Sequence, residues 1–402
     1  MKKIVAKQVS MLELFYDLIF VYAISRITMM IHHPIDGSLP PRIYIEFIIV
    51  VIFVLQIWLY QTVYINRFGT SRAVDTVGLL ISMFAAIYLA NNINTEWRLT
   101  FHAFNLSAAL TTINLIFQYL LGSSTHFKRD HDLQGFIIAL DLEFILLVTG
   151  LIIGYQYGVY LCVAGGLIGF LMPLVMYRMF RPEQVNFPHL VERLSLIIII
   201  TFGETLVNIT HYFKGAIYSS LAIAIFLGVA ALFGVYTLLV ERFLNHHQHT
   251  RGFIAMYTHV VMIISLLSIT AGIIYMADEE VSRLFLSCFV ASNLIVFYLC
   301  LWLYSFYNRR HLRFNGRDLR AMAIVLLLGS LGIILCRENN LSLMSAFALT
   351  NVVEFGLLEW KLQRKKSPLR SLTTTIHHII SFHPHLYSIY PNNHLGQMEF
   401  LF

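Results

Sequence analysis

Twelve apolar stretches follow one another along the chain, at residues 12–32, 43–65, 73–91, 98–121, 135–154, 157–178, 190–212, 215–240, 253–277, 281–306, 320–336 and 341–360. Each is close to the roughly 20 residues a helix needs to cross the hydrocarbon of a bilayer. Breakers separate them, such as Pro34, Pro40 and Pro41 after the first and Pro182 and Pro188 before the seventh. The narrowest separation is Gly154–Gly158; a single kinked span there would change the count. The pattern predicts an all-α, polytopic membrane helix bundle of about 12 transmembrane helices.

Composition removes the soluble alternatives. Hydrophobic residues make up 58% and charged residues 12% of the 402, against about 45–50% and about 25% in soluble domains. The lipid bilayer is therefore the expected partner. The net charge of +6 is read as loop charge, with no nucleic acid expected. Under a twelve-span count, twenty-one of the 28 basic residues fall on one side and five on the other. Arg26 and Arg193 lie inside spans one and seven. This bias places both termini in the cytoplasm of a cell (plasma) membrane protein. The first span contains Glu13, Asp17 and Arg26 and has no small-residue cleavage site after it, so it is expected to stay as a helix. Cys162, Cys288, Cys300 and Cys336 lie in apolar runs without paired spacing and read as small buried hydrophobes. The histidines of the tail (His377, His378, His383, His385, His394) and of the loop His246, His247, His249 lack zinc-site spacing. Neither metal nor cofactor is expected. There is no phosphate-binding glycine loop, nucleophile elbow or metalloprotease motif, which argues against an enzyme.

A shift of 179 residues places Glu13 on Glu192, Asn66 on Asn245 and Arg72 on Arg251. It lays span one on span seven and the loop NRFGTSR on NHHQHTR. This suggests a first six-helix repeat at 1–180, a second at 181–360 and a basic, His-rich cytoplasmic tail at 361–402. Six helices per half would make the repeat parallel.

Ionisable groups inside spans are costly, and they persist where they are paired or line a wet path. Glu13 and Asp17, at i,i+4, share one face of the first helix. Asp141 and Glu143 stand about 200° apart on the fifth, so each needs its own partner. His189 and Arg193 share a face of the seventh, with Glu204 further along it and Gly203 beside Glu204 as a candidate for close helix approach. His259 sits within the ninth helix, and His102 and Asn105 within the fourth. Glu46, Glu241, Glu354 and Glu359 lie near span ends, where acids can snorkel. The candidate substrate or ion pathway is Asp17, Glu143, Glu204 and His259. The repeat adds two structural ion pairs, Glu13–Arg72 and Glu192–Arg251, each tying the first helix of a half to its third.

The stretch ELFYDLIFVYAI resembles the opening motif ELFxDLxFVxA of the bacterial low-temperature-requirement protein A (LtrA) family. HLVERLSLIIIITFGET resembles that family's second motif, ERxxxxxIxxxGE, and His259 matches a weaker position. The resemblance covers about residues 1–360, with Glu13, Asp17, Glu192, Arg193, Gly203 and Glu204 as the motif residues. It implies a multi-pass membrane protein linked to growth in the cold, and brings no reaction or substrate with it. Helix number, repeat and deep acids favour a secondary, ion-gradient-coupled transporter of an unknown small substrate. The alternatives are a channel or membrane scaffold, or an intramembrane lipid-modifying enzyme.

Overall fold

The computed structural model describes residues 5–69, 72–122, 130–215 and 218–382, the last 18 of these by their helical backbone alone. The described residues form twelve long α-helices: α1 (Met11–Met29), α2 (Pro41–Arg67), α3 (Ala73–Asn91), α4 (Trp97–Gly122), α5 (His131–Ile153), α6 (Tyr155–Val175), α7 (Phe187–Asn208), α8 (Ser220–Leu238), α9 (Phe253–Tyr275), α10 (Arg283–Tyr304), α11 (Gly316–Leu335) and α12 (Asn340–Phe382). Local chemistry sets several of the starts. Ser10 and Glu13 form a capping box on α1, and Asn315 and Asp318 form another on α11. Asn186 caps α7, with Pro188 in its first turn.

Ten of these helices are long and apolar enough to cross a membrane, by length and composition alone. The two that fall short of the predicted twelve are α1, which carries Glu13, Asp17 and Arg26, and α7, which carries Glu192, Arg193 and Glu204. The Gly154–Gly158 boundary separates two helices rather than kinking one. Gly154 adopts φ 85°, a conformation open mainly to glycine, and α6 folds back on α5. Gly150 and Gly158 face each other so closely that a Cβ on Gly158 would lie 2.0 Å from the Gly150 carbonyl oxygen. The expected tail boundary at 361 lies inside α12, which continues to Phe382; His383, His385 and His394 lie outside the described residues. A Cβ on Gly203 would meet no described atom within 4 Å, so this glycine supports no close helix approach. Cys288 is exposed on α10, unlike the buried Cys162 and Cys300.

The helices pack in corresponding pairs. In the first six, α1 packs on α3, α2 on α6, α3 on α4, α4 on α5 and α5 on α6. In the last six, α7 packs on α9, α8 on α12, α9 on α10, α10 on α11 and α11 on α12. The sets meet where α1 lies along α7 and where α2 touches α7 and α9. Contacts from Lys7 to Asn186, Glu13 to His189 and Asp17 to Arg193 advance together, so α1 and α7 run parallel. The most enclosed helix is α9, with 83% of its apolar window buried; α11, at 22%, is the most peripheral.

Candidate functional site

The junction of α1, α2 and α7 holds a buried ionic cluster. Ridge positions on α1 bring Glu13 and Asp17 inward, and α7 answers with His189 and Arg193, also one turn apart. Arg193 is fully buried. Its Nη1 donates to Glu13 Oε2 at 3.1 Å, and its Nη2 donates to Asp17 Oδ1 at 2.8 Å and to Thr62 Oγ1 at 3.3 Å. The Trp58 indole N–H donates to the same Asp17 oxygen at 2.7 Å, and the guanidinium lies 5.4 Å from the Trp58 ring centroid. Glu13 Oε1 accepts from the Ser10 amide and hydroxyl at 3.0 and 2.9 Å, at the helix start where the macrodipole favours a carboxylate.

The hydrogen bonds also assign the protonation of His189. The Asn66 amide is oriented by the backbone of Asn186, donating to its carbonyl at 2.8 Å and accepting from its N–H at 3.0 Å. Asn66 Nδ2 therefore donates to His189 Nδ1 at 3.0 Å, which must accept. That places the proton of a neutral imidazole on Nε2, donating to Glu13 Oε2 at 3.0 Å. Lys7, just before α1, donates from Nζ to the carbonyls of Ile65 and Gly69 at 2.6 and 2.9 Å, closing the end of α2. Burial pushes its ammonium below the ordinary lysine value, with Glu13 pulling the other way.

Three of the four carboxylate oxygens in this cluster are thus occupied. The fourth, Asp17 Oδ2, is buried without a partner, as are Tyr16 Oη and Arg193 Nε. The two acids share the Arg193 guanidinium, and the Lys7 ammonium is drawn to Glu13 from the cluster's edge.

The other predicted residues have separate surroundings. Glu143 is buried and accepts from Gln56 Nε2 at 2.5 Å, with no cation reaching it among the described residues. Asp141 is exposed on the opposite face of α5. Glu204 accepts from Asn208 one turn along its own helix, at 2.7 Å. Both ring nitrogens of His259 are engaged: Nδ1 donates to the Ala255 carbonyl at 2.6 Å, and Nε2 is hydrogen-bonded with the Tyr236 hydroxyl at 3.0 Å. His102 is exposed, while Asn105 bonds the Phe101 carbonyl. Glu46 pairs with Arg42. Glu354, placed by sequence near a span end, is fully buried.

Neither expected repeat-related ion pair forms. Glu13 is taken by Arg193 and His189 because α7, not the start of α3, lies against its face. Arg72 is exposed, and its backbone N–H bonds Asp75. Glu192 is exposed because it precedes Arg193 by 100° around α7, so a guanidinium aimed at α1 turns it outward. Arg251 instead donates to the Phe180 carbonyl at 2.6 Å. Sequence reasoning missed Trp58 and Thr62 and the role of Asn66. Their signal was present as an i, i+4, i+8 polar stripe through the otherwise apolar α2.

Among the described residues no group of three or more His, Cys, Asp or Glu could hold a metal ion. No curated protein and no solved structure matches the chain. A family does. The two segments that meet in the cluster, Glu13–Asp17 on α1 and Arg193 on α7, are those that resemble the family's motifs, and the family model for "Bacterial low temperature requirement A protein (LtrA)" matches residues 8–354, so the chain belongs to the LtrA family.

Proposed function

We propose that this protein is a secondary transporter coupled to protons, working in the cell membrane with both termini in the cytoplasm and built as a parallel repeat of six plus six helices. The observation that carries the reading is Asp17 Oδ2: a buried carboxylate oxygen without a partner, in the ionic cluster that joins the two sets of helices. A buried charge cluster that serves only as a staple is stable when every lone pair is met. This one leaves Asp17 Oδ2 without a partner at the seam between the two sets of helices, where an alternating-access movement would act. The matching helix pairs in the two sets, and the parallel course of α1 and α7, support the repeat. The basic bias in the loops supports the orientation.

The test starts from cells. Metabolites that differ between a deletion strain and wild type at low temperature supply the candidate substrates, and each is added to proteoliposomes carrying a trapped pH dye. Wild type should acidify or alkalinise the lumen with substrate, and Asp17→Asn should abolish that signal. The same substitution keeps the Trp58 and Arg193 contacts to Oδ1 and leaves the Arg193 charge balanced by Glu13, so folded yield should not change. Undiminished proton movement in Asp17→Asn would end the proposal. A chain that rescues cold growth with Asp17→Asn in place reads instead as a channel or scaffold, and a chemically altered lipid would identify an enzyme.

A further inference from the structure

Glu354 stands apart from every other acid in the bundle. It is fully buried in α12, and neither carboxyl oxygen has a partner. Its neighbour one turn back is fully engaged: Asn351 accepts from the Tyr298 hydroxyl at 2.8 Å and donates to the carbonyls of Phe347 and Gly228 at 3.0 and 3.4 Å. Buried polar atoms without partners mark a place where water, an ion or a proton is to be accounted for.

A cleft begins about one turn further along the same helix, at Leu357 and Leu358. At the basic end of the bundle, α11 and α12 flank an open cleft lined by Phe314, Arg317, Asp318, Leu358, Lys361 and Arg364, among others. Glu354, Leu358 and Lys361 fall at i, i+4 and i+7, one stripe of α12. Lys361 marks the mouth: it pairs with Asp318, donates to the Arg313 carbonyl at 2.8 Å and lies 5.0 Å from the Phe314 ring centroid. Glu354 is about 10 Å deeper along the axis. Leu358 lines the cleft yet is itself buried, and is the side chain between the two on that stripe.

We propose that Glu354 is a proton-binding site reached from the cleft between α11 and α12, with Leu358 as the apolar step between cleft and acid. Water in the cleft delivers a proton to a Glu354 oxygen: hydronium becomes water, the carboxylate becomes the neutral acid, and the reverse releases it. Few other ionisable groups compete. From α10, Tyr298 is committed to Asn351, and the Tyr304 hydroxyl is unpartnered. From α8, the only titratable side chain is Tyr236, which serves His259. From α11, Arg317 and Asp318 lie at the cleft mouth, where Lys361 holds Asp318; α12 itself adds Arg364 there. The site is separate from the Glu13–Asp17 cluster and stands whether or not that cluster couples transport.

Infrared difference spectroscopy on the full-length protein in lipid tests this. Subtracting Glu354→Gln from wild type isolates the carbonyl band of the protonated Glu354 carboxyl. That band should be present, shift promptly in D₂O, and disappear as pH is raised. Leu358→Trp should slow its exchange several-fold and Leu358→Ala should quicken it. If Glu354→Gln fails to fold, Glu354→Asp keeps the acid and moves the band instead of removing it. No carboxyl band at any pH would mean a permanently ionised group. A band deaf to D₂O and pH would mean a sealed structural acid. A titrating band indifferent to both Leu358 changes would mean another route. Each of the three overturns the proposal.

Discussion

Two seams of the bundle correspond in position and differ in chemistry. Where α2 meets α6, Gly166 of α6 takes the ring of Phe53 from α2; a Cβ on that glycine would lie 1.9 Å from a ring carbon. Where α8 meets α12, the partners are exchanged. The glycine, Gly228, is on α8, and the ring of Phe347 comes from α12, 2.5 Å from where a Cβ would be. Bare backbone against an aromatic ring closes both seams, as small residues do between membrane helices. The polar contents diverge. In the first seam Glu143 is met by Gln56, and Tyr60 donates to the Gly169 carbonyl at 2.7 Å. In the second, Glu354 is met by nothing. The combined volume across a seam can thus be supplied from either helix, whereas hydrogen bonding to an acid has to be provided at that acid.

The largest effect should come where the two sets of helices join. Arg193→Met strands Glu13 and Asp17 without a cation, and truncating one partner of a buried pair costs about 3–5 kcal/mol. A sharply lower thermal midpoint in detergent, with loss of monodispersity, is expected. An unchanged midpoint would show that the acids do not depend on α7. Next come the seams themselves. Gly166→Ala and Gly228→Ala should each lose about 1–3 kcal/mol by overpacking, read by denaturant titration. Combining Gly166→Ala with Phe53→Leu, or Gly228→Ala with Phe347→Leu, should restore part of the loss; simple additivity would refute the exchanged-partner picture. A smaller difference separates the acids. Gln56→Leu removes the hydrogen bond to Glu143 and should destabilise by about 1 kcal/mol, while Glu354→Gln breaks no bond and should leave the same titration nearly unmoved. An equal response from both would erase the contrast between the seams.

The smallest effect concerns the loop after α8. His246 Nε2 donates to the Val240 carbonyl at 2.9 Å, and burial lowers its proton affinity below that of a free histidine. The unfolded chain therefore binds a proton more readily than the folded one. Stability from this group is complete above about pH 6.5 and declines as pH falls below it. His246→Gln should flatten that acid limb in a series of melting curves. Arg67, at the end of α2, is by contrast paired with the buried Asp132.

Hydropathy alone made the helices legible, because each span must bury its own backbone polar groups in lipid. The stripe of Glu13 and Asp17, and that of His189 and Arg193, could be read from i,i+4 spacing. Their pairing could not. Which acid meets which base depends on which helix lies alongside, and α1 lies between α3 and α7. Distance from a helix end also misled: Glu354 looked peripheral on α12, but that helix runs on well past Trp360. The polar stripe of α2 was hidden for a different reason. Trp58, Thr62 and Asn66 are ordinary in a membrane helix until two charged neighbours turn toward them.

The fully buried arginine carries a consequence for how the protein is made. Asp17 and Arg193 are 176 residues apart. At about 5–20 residues per second, α1 waits roughly 9–35 s for its counter-charge to be synthesised. Through that interval its two acids lack the guanidinium, and α7 then brings an arginine whose acidic partners among the described residues are both on α1. These are the two helices that fall short of the apolar threshold on their own. Packing of the first helix is therefore completed by the seventh, and a nascent chain released before Arg193 should leave the acids of α1 without the guanidinium they share.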